Sequence, residues 1–115
     1  MFTIDIHTHI LPPEIPKFKD KFGYGGFIEL HEHANCCGAD MVDDSGKFFR
    51  KVEPNCYDGK ARIHDCDKHG VHVQVLSTVP VMFSYWTKAQ DGEYISQFLN
   101  DQLFQTCENN KKRFV

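Results

Sequence analysis

Apolar and polar positions change period several times along the chain, and each change marks an element. Phe2, Ile4 and Ile6 alternate with Thr3 and Asp5, which predicts a short first strand that stops at His7 and His9, ahead of a loop opened by Pro12-Pro13. Gly23-Tyr24-Gly25-Gly26 follows as a turn. Two short strand-like runs, Phe27 to His33 and Lys47 to Val52, flank the turn-type sequence Asp43-Asp44-Ser45-Gly46 and predict a β-hairpin. Asp58 as N-cap, Ile63 and Cys66 one turn apart, and Gly70 as the stop predict a helix over 59–69.

Val71 to Val81 is rich in β-branched residues, alternates through Val71, Val73 and Val75, and then becomes apolar on both faces. It reads as a buried strand closed by Pro80. After the aromatic stretch Met82-Phe83-Ser84-Tyr85-Trp86, a second helix carries Ile95, Phe98, Leu99, Leu103 and Thr106 on one face. Thr87 with Gln90 resembles a capping box for it, and Asp91 is a rival cap. Lys111, Lys112 and Arg113 suit its negative end, and Phe114-Val115 reads as the start of a third strand.

Strand, hairpin, helix, strand, helix is an α/β order and implies a parallel sheet. Two parallel strands with their helices cover neither sheet face completely, and a barrel of such units needs eight of them in roughly 250 residues. The 115 residues are therefore expected to be the opening portion of a larger architecture, one amino-terminal piece of a single barrel domain.

Composition narrows the function. The chain is 41% hydrophobic and 13% aromatic, which suits a packed core rather than disorder. Net charge is −3 and the 13 Lys and Arg are scattered, so a nucleic-acid footprint is missing. No apolar run approaches about 18 residues and no basic leader precedes one, so neither a membrane span nor a signal peptide is expected. Five cysteines without a signal peptide point to reduced thiols and a cytosolic setting. Cys36-Cys37 with His31 and His33 is a soft-metal alternative to plain loop thiols, but zinc-ribbon spacing is absent.

The most specific chemistry lies in Asp5-Ile6-His7-Thr8-His9. Residues i and i+2 of a strand share a side, so His7 and His9 can converge on one cation if Thr8 faces away. The C-terminal end of a barrel strand is also where catalytic groups sit. The competing reading is of two ordinary strand-end histidines, and it is retained for His31-Glu32-His33, which lacks that setting. Asp5 either orients a histidine or points away. His64, His69 and His72 read as structural.

The series DIHTHILPP, FGYGG, Phe49-Arg50 and VQVLSTVPVMFSYW resembles, in one order, the amino-terminal part of the aminocarboxymuconate-semialdehyde decarboxylase family of the amidohydrolase superfamily. The resemblance is weakest over Ala34 to Asp44. It implies a (β/α)8 TIM barrel of the metal-dependent hydrolase type, with a hairpin insertion after the first strand. It also implies Zn2+-dependent removal of carbon dioxide from 2-amino-3-carboxymuconate 6-semialdehyde in tryptophan catabolism, giving 2-aminomuconate semialdehyde and limiting quinolinate formation.

By that resemblance His7 and His9 are the first two zinc ligands and Arg50 binds the substrate, a role that the paired donors of a guanidinium suit. Without the resemblance, Arg50 reads as a solvated hairpin residue. Phe83, Tyr85 and Trp86 either line the same mouth or serve core packing or a subunit contact. The intact family member is expected to be a homodimer acting on a small carboxylated substrate. The family's other ligands and its acid/base histidine come from later strands, so no catalytic residue is expected within this chain and its catalysis alone is doubtful. Three alternatives compete: a truncated, non-catalytic chain that binds intact subunits, another amidohydrolase-type hydrolase, and a small cysteine-based metal module.

Overall fold

A computed structural model of the chain describes residues 1–35 and 37–115. They divide into two compact units, Met1–Pro12 with Asn55–Val115, and Pro13–Pro54.

In the first unit, β1 (Ile4–Ile10) pairs in parallel with β5 (Val73–Thr78). β1 does not stop at the histidines, as the sequence pattern predicts, but runs through them. Thr8, His9 and Ile10 continue the ladder opposite Leu76, Ser77 and Thr78. The register shifts on the way. Asp5 faces Gln74 and Thr8 faces Leu76, so Ile6 and His7 together oppose Val75 alone, a β-bulge. Beyond the bulge, Thr8 and Ile10 are buried, whereas Ile4 before it and Ile6 within it are exposed.

Helix α2 (Gly59–Lys68) forms as expected: the Asp58 side chain accepts from the Lys60 N–H at 3.0 Å, and Gly70 adopts φ +69 just past the end. β5 is shorter than the predicted Val71–Val81 segment and less buried. Leu76 is its one buried residue, and Val75 is exposed. Pro80 opens a 3₁₀ turn, Pro80–Met82.

Helix α3 (Ala89–Asn109) buries Ile95 and Leu99. Neither Thr87 nor Asp91 is its N-cap. The flanking position is Lys88, without a side-chain cap, and the Thr87 hydroxyl donates to the Ser84 carbonyl at 2.8 Å instead. The chain then returns to the sheet. Gln74 N–H donates to Arg113 O and Leu76 N–H to Val115 O, with Phe114 bridged in parallel to Gln74, as a third strand would begin. Ile10, Leu76 and Phe114 form the core here, with Ile63, Leu103 and Cys107 packed on it.

In the second unit, α1 (Phe18–Phe22), which the sequence pattern did not predict, stacks Phe18 on Phe22 and ends at Gly23 in the left-handed region. The expected hairpin is a three-stranded antiparallel meander: β2 (Ile28–Glu32), β3 (Ala39–Asp43) and β4 (Phe48–Val52), in that order. The two predicted strands are therefore not partners; β3 lies between them. The predicted turn survives as the β3–β4 link, where the Asp43 carboxylate accepts from Ser45 N–H, Ser45 hydroxyl and Lys47 N–H. The Asp44 carboxylate takes the N–H groups of Gly26 and Phe27 at 3.0 Å, pinning the glycine-rich turn.

Candidate metal centre

The bulge decides how β1 presents its histidines. Thr8 turns inward and its hydroxyl donates to Val75 O at 2.9 Å, so His7 and His9 share the other side. Their rings lie 5.1 Å apart, edge to face at 83°. His9 is half-buried and His7 exposed.

The tautomer of His9 follows from its neighbours. Its Nδ1 lies 3.0 Å from Thr78 O and 2.9 Å from Ser77 Oγ. A carbonyl oxygen can only accept, and the Ser77 hydroxyl hydrogen is directed to Thr8 O; Nδ1 therefore carries the proton. The Nε2 lone pair is left for an external partner, the arrangement found in histidines that ligate metals through one nitrogen and anchor with the other.

The backbone of the pair is held by polar side chains. The His7 N–H, displaced from the ladder by the bulge, donates to Asp5 Oδ1 at 3.3 Å, and Asp5 Oδ2 accepts from Gln74 Nε2 at 3.3 Å. Asp5 thus serves the backbone of His7 and not a ring. Arg62, from α2, donates through Nε to Asn55 O at 2.9 Å, through one terminal nitrogen to Gln74 Oε1 at 3.3 Å, and through the other to His9 O at 2.6 Å. Burial pushes its pKa below the ordinary arginine value, while Cys56, Cys66 and Asp5 pull it back up.

The sequence pattern does not single out Arg62. The available signal was its position four residues before Cys66, the buried residue of α2, which puts a guanidinium on the inward face of a helix.

The other sequence candidates are described by their own surroundings. Arg50 lies on β4, exposed, with its guanidinium carbon 5.9 Å from the Phe49 ring centroid. Among the described residues, the Nε2 atoms of His31 and His33 meet the Glu29 and Asp40 carboxylates, each at 2.9 Å. Cys37 is exposed, and Cys36 lies outside the described residues. His69 Nδ1 approaches Asp65 O at 2.9 Å, and His72 Nδ1 accepts the Thr3 N–H at 3.1 Å, structural roles as read from sequence. Tyr85 and Trp86 are exposed, which removes core packing as their role within this chain. Among the described residues no group of three or more His, Cys, Asp or Glu side chains gathers for a metal, so His7 and His9 are a pair. Nor is any helix among them long and apolar enough to cross a membrane.

No family model matches the chain. Individual proteins do. The chain is 49% identical over 112 residues to the 2-amino-3-carboxymuconate-6-semialdehyde decarboxylase of Dictyostelium discoideum, covering 97% of the chain and 31% of that protein. It is 51% identical over 112 residues to that of Caenorhabditis elegans, covering 27% of the relative. The chain is a relative of these decarboxylases. A decarboxylase of the same name from Sus scrofa matches over 50 residues at 52% identity. The chain spans under a third of the length of the two relatives it matches along nearly its whole extent. Its kinship to the decarboxylases covers both compact units, since a match of 112 residues reaches into each.

Proposed function

We propose that this chain is the amino-terminal part of a (β/α)8-barrel decarboxylase that converts 2-amino-3-carboxymuconate 6-semialdehyde to 2-aminomuconate semialdehyde, and that His7 and His9 hold its zinc. The observation that carries the metal reading is the His9 ring, anchored through Nδ1 to Thr78 O with Nε2 left open beside the His7 ring. The parallel pairing of β1, β5 and the Phe114 segment supports the barrel.

The donor set fits zinc as part of a site. Neutral imidazole nitrogen is a common zinc ligand, and a catalytic zinc takes three protein ligands with one position open. On this reading the remaining ligands come from later strands of the barrel. When bound, zinc supplies Lewis acidity and acidifies a coordinated water. The chain's own contribution is to hold two imidazoles at fixed spacing, and Arg50 offers paired N–H donors to a substrate carboxylate. The homodimer, the tryptophan-catabolic role and the cytosolic setting come with the same reading.

The 115-residue chain with added zinc sulfate is expected to bind the metal, to lose it in His7→Ala and His9→Ala, and to leave the absorbance of the substrate unchanged. Zinc binding indifferent to both substitutions would overturn the metal reading. Clear turnover would overturn the incompleteness of the site.

A second reading, a non-catalytic chain that docks on intact subunits, is favoured by the exposure of Ile4, Ile6 and Phe104. Co-purification with a full-length homologue tests it.

A further inference from the structure

A bulge costs a strand the ladder bonds that fix its backbone, yet a metal site needs its ligand nitrogens held to a fraction of an ångström. In β1 the bulge falls at Ile6 and His7, at the start of the His7-Thr8-His9 tripeptide. The two ends of that tripeptide lead back to one side chain. At its carboxyl end, His9 O accepts directly from Arg62 at 2.6 Å. At its amino end, the His7 N–H donates to Asp5, Asp5 accepts from the Gln74 amide, and the Gln74 carbonyl accepts from Arg62. A third bond to Asn55 O fixes the guanidinium itself. Arg62 reaches this point from α2, an element that packs against the sheet and contributes no ring to the pair.

We propose that Arg62 is a positioning residue for the metal pair: its guanidinium, acting on His9 directly and on His7 through Gln74 and Asp5, sets the spacing of the two imidazoles in place of the missing ladder. This rests on the zinc reading of His7 and His9. Lysine cannot reproduce the role in full, because a planar fork serves three acceptors at fixed angles where an ammonium is a point charge. Gln74 is a second requirement, since its amide must donate to Asp5 and accept from Arg62 at once.

The test is zinc affinity of the 115-residue chain, measured by competition with a chromogenic chelator, with histidine ring NMR signals followed during the titration and circular dichroism as the check of folding. Arg62→Gln is expected to weaken zinc binding by about 10- to 100-fold, the usual effect of removing a group that orients a ligand. Arg62→Lys is expected to restore part of the loss. In a His9→Ala background, Arg62→Gln is expected to add nothing.

Unchanged affinity in Arg62→Gln, with His9→Ala abolishing binding, would overturn the positioning role and leave the zinc reading intact. No saturable binding by the unmodified chain would overturn both. If Arg62→Gln loses its helical dichroism, Gln74→Leu decides: it leaves the Arg62 bonds to His9 and Asn55 in place, and an affinity equal to that of the unmodified chain overturns the proposal, whereas a loss of about tenfold upholds it.

Discussion

Thr78 O accepts the Nδ1 hydrogen of His9 at 3.0 Å, across neighbouring parallel strands. The link makes a prediction about a single proton. In the metal-free chain the neutral His9 ring is expected in the Nδ1–H form, visible in long-range nitrogen–proton correlation spectra of histidine-labelled protein. Ser77→Ala removes one of the two acceptors at Nδ1 and is expected to leave the tautomer unchanged, because the carbonyl remains. A predominant Nε2–H form would contradict the geometry on which the metal reading stands.

Two glycines of the second unit separate backbone strain from crowding. Gly38 sits at φ +131, and a Cβ built there would lie 2.8 Å from Val52 O. Gly23 sits at φ +82 with nothing within 4 Å of the same atom. Gly38→Ala is expected to cost about 1 to 3 kcal/mol, from a conformation L-residues avoid and a clash with backbone that cannot rotate away. Gly23→Asn is expected to cost less, since Asn tolerates the left-handed region. Thermal melts of the two variants check the order; a milder Gly38→Ala would refute it.

These elements differ in how far the sequence announced them. α2 was legible because its signals are local: Asp58, the Ile63–Cys66 spacing and Gly70 each act within a turn of their own position. β3 was not. Ala39-Asp40-Met41-Val42-Asp43 has three residues that strands disfavour and only five positions, so its pairing with both β2 and β4 is decided by neighbours rather than propensity. The extent of β1 was hidden for a related reason. The bulge at Ile6 and His7 breaks the period of two, and only the ladder with β5 shows that the strand continues. His7 and His9 could be nominated from spacing and company, whereas Arg62 is joined to them by a contact 53 residues away in sequence.

The cysteines are expected to divide by environment. Burial pushes the Cys66 thiol up despite the opposing pull of Arg113 and Arg62, and burial with Glu108 pushes Cys107 up. A raised pKa leaves less thiolate at neutral pH, and thiolate is the reactive form. Alkylation near pH 7 followed by peptide mapping is therefore expected to modify exposed Cys37 well before Cys66 and Cys107. Zinc content that survives this alkylation would also exclude a thiol-based metal module. Rapid labelling of Cys66 in the folded chain would show that α2 opens far more readily than its packing implies.

Asp43 carries the expected pH dependence of the β3–β4 turn. Its pKa is held below the ordinary carboxylate value, first by the Ser45 hydroxyl and then by the Lys47 and Ser45 N–H groups. A folded pKa below the unfolded one means that the contribution to stability is fully present above the unfolded value and is lost as pH falls through the folded one. Asp43→Asn removes the charge at every pH. The stability gap between the unmodified chain and this variant is therefore expected to be widest near neutrality and to close as the solution is acidified past the ordinary carboxylate range. Chemical denaturation across that range, with the Ser45 amide shift as a local probe, measures it. A gap that stays constant with pH would mean that the turn is held by its backbone geometry, including Gly46 at φ +89, and not by the ionised Asp43 carboxylate.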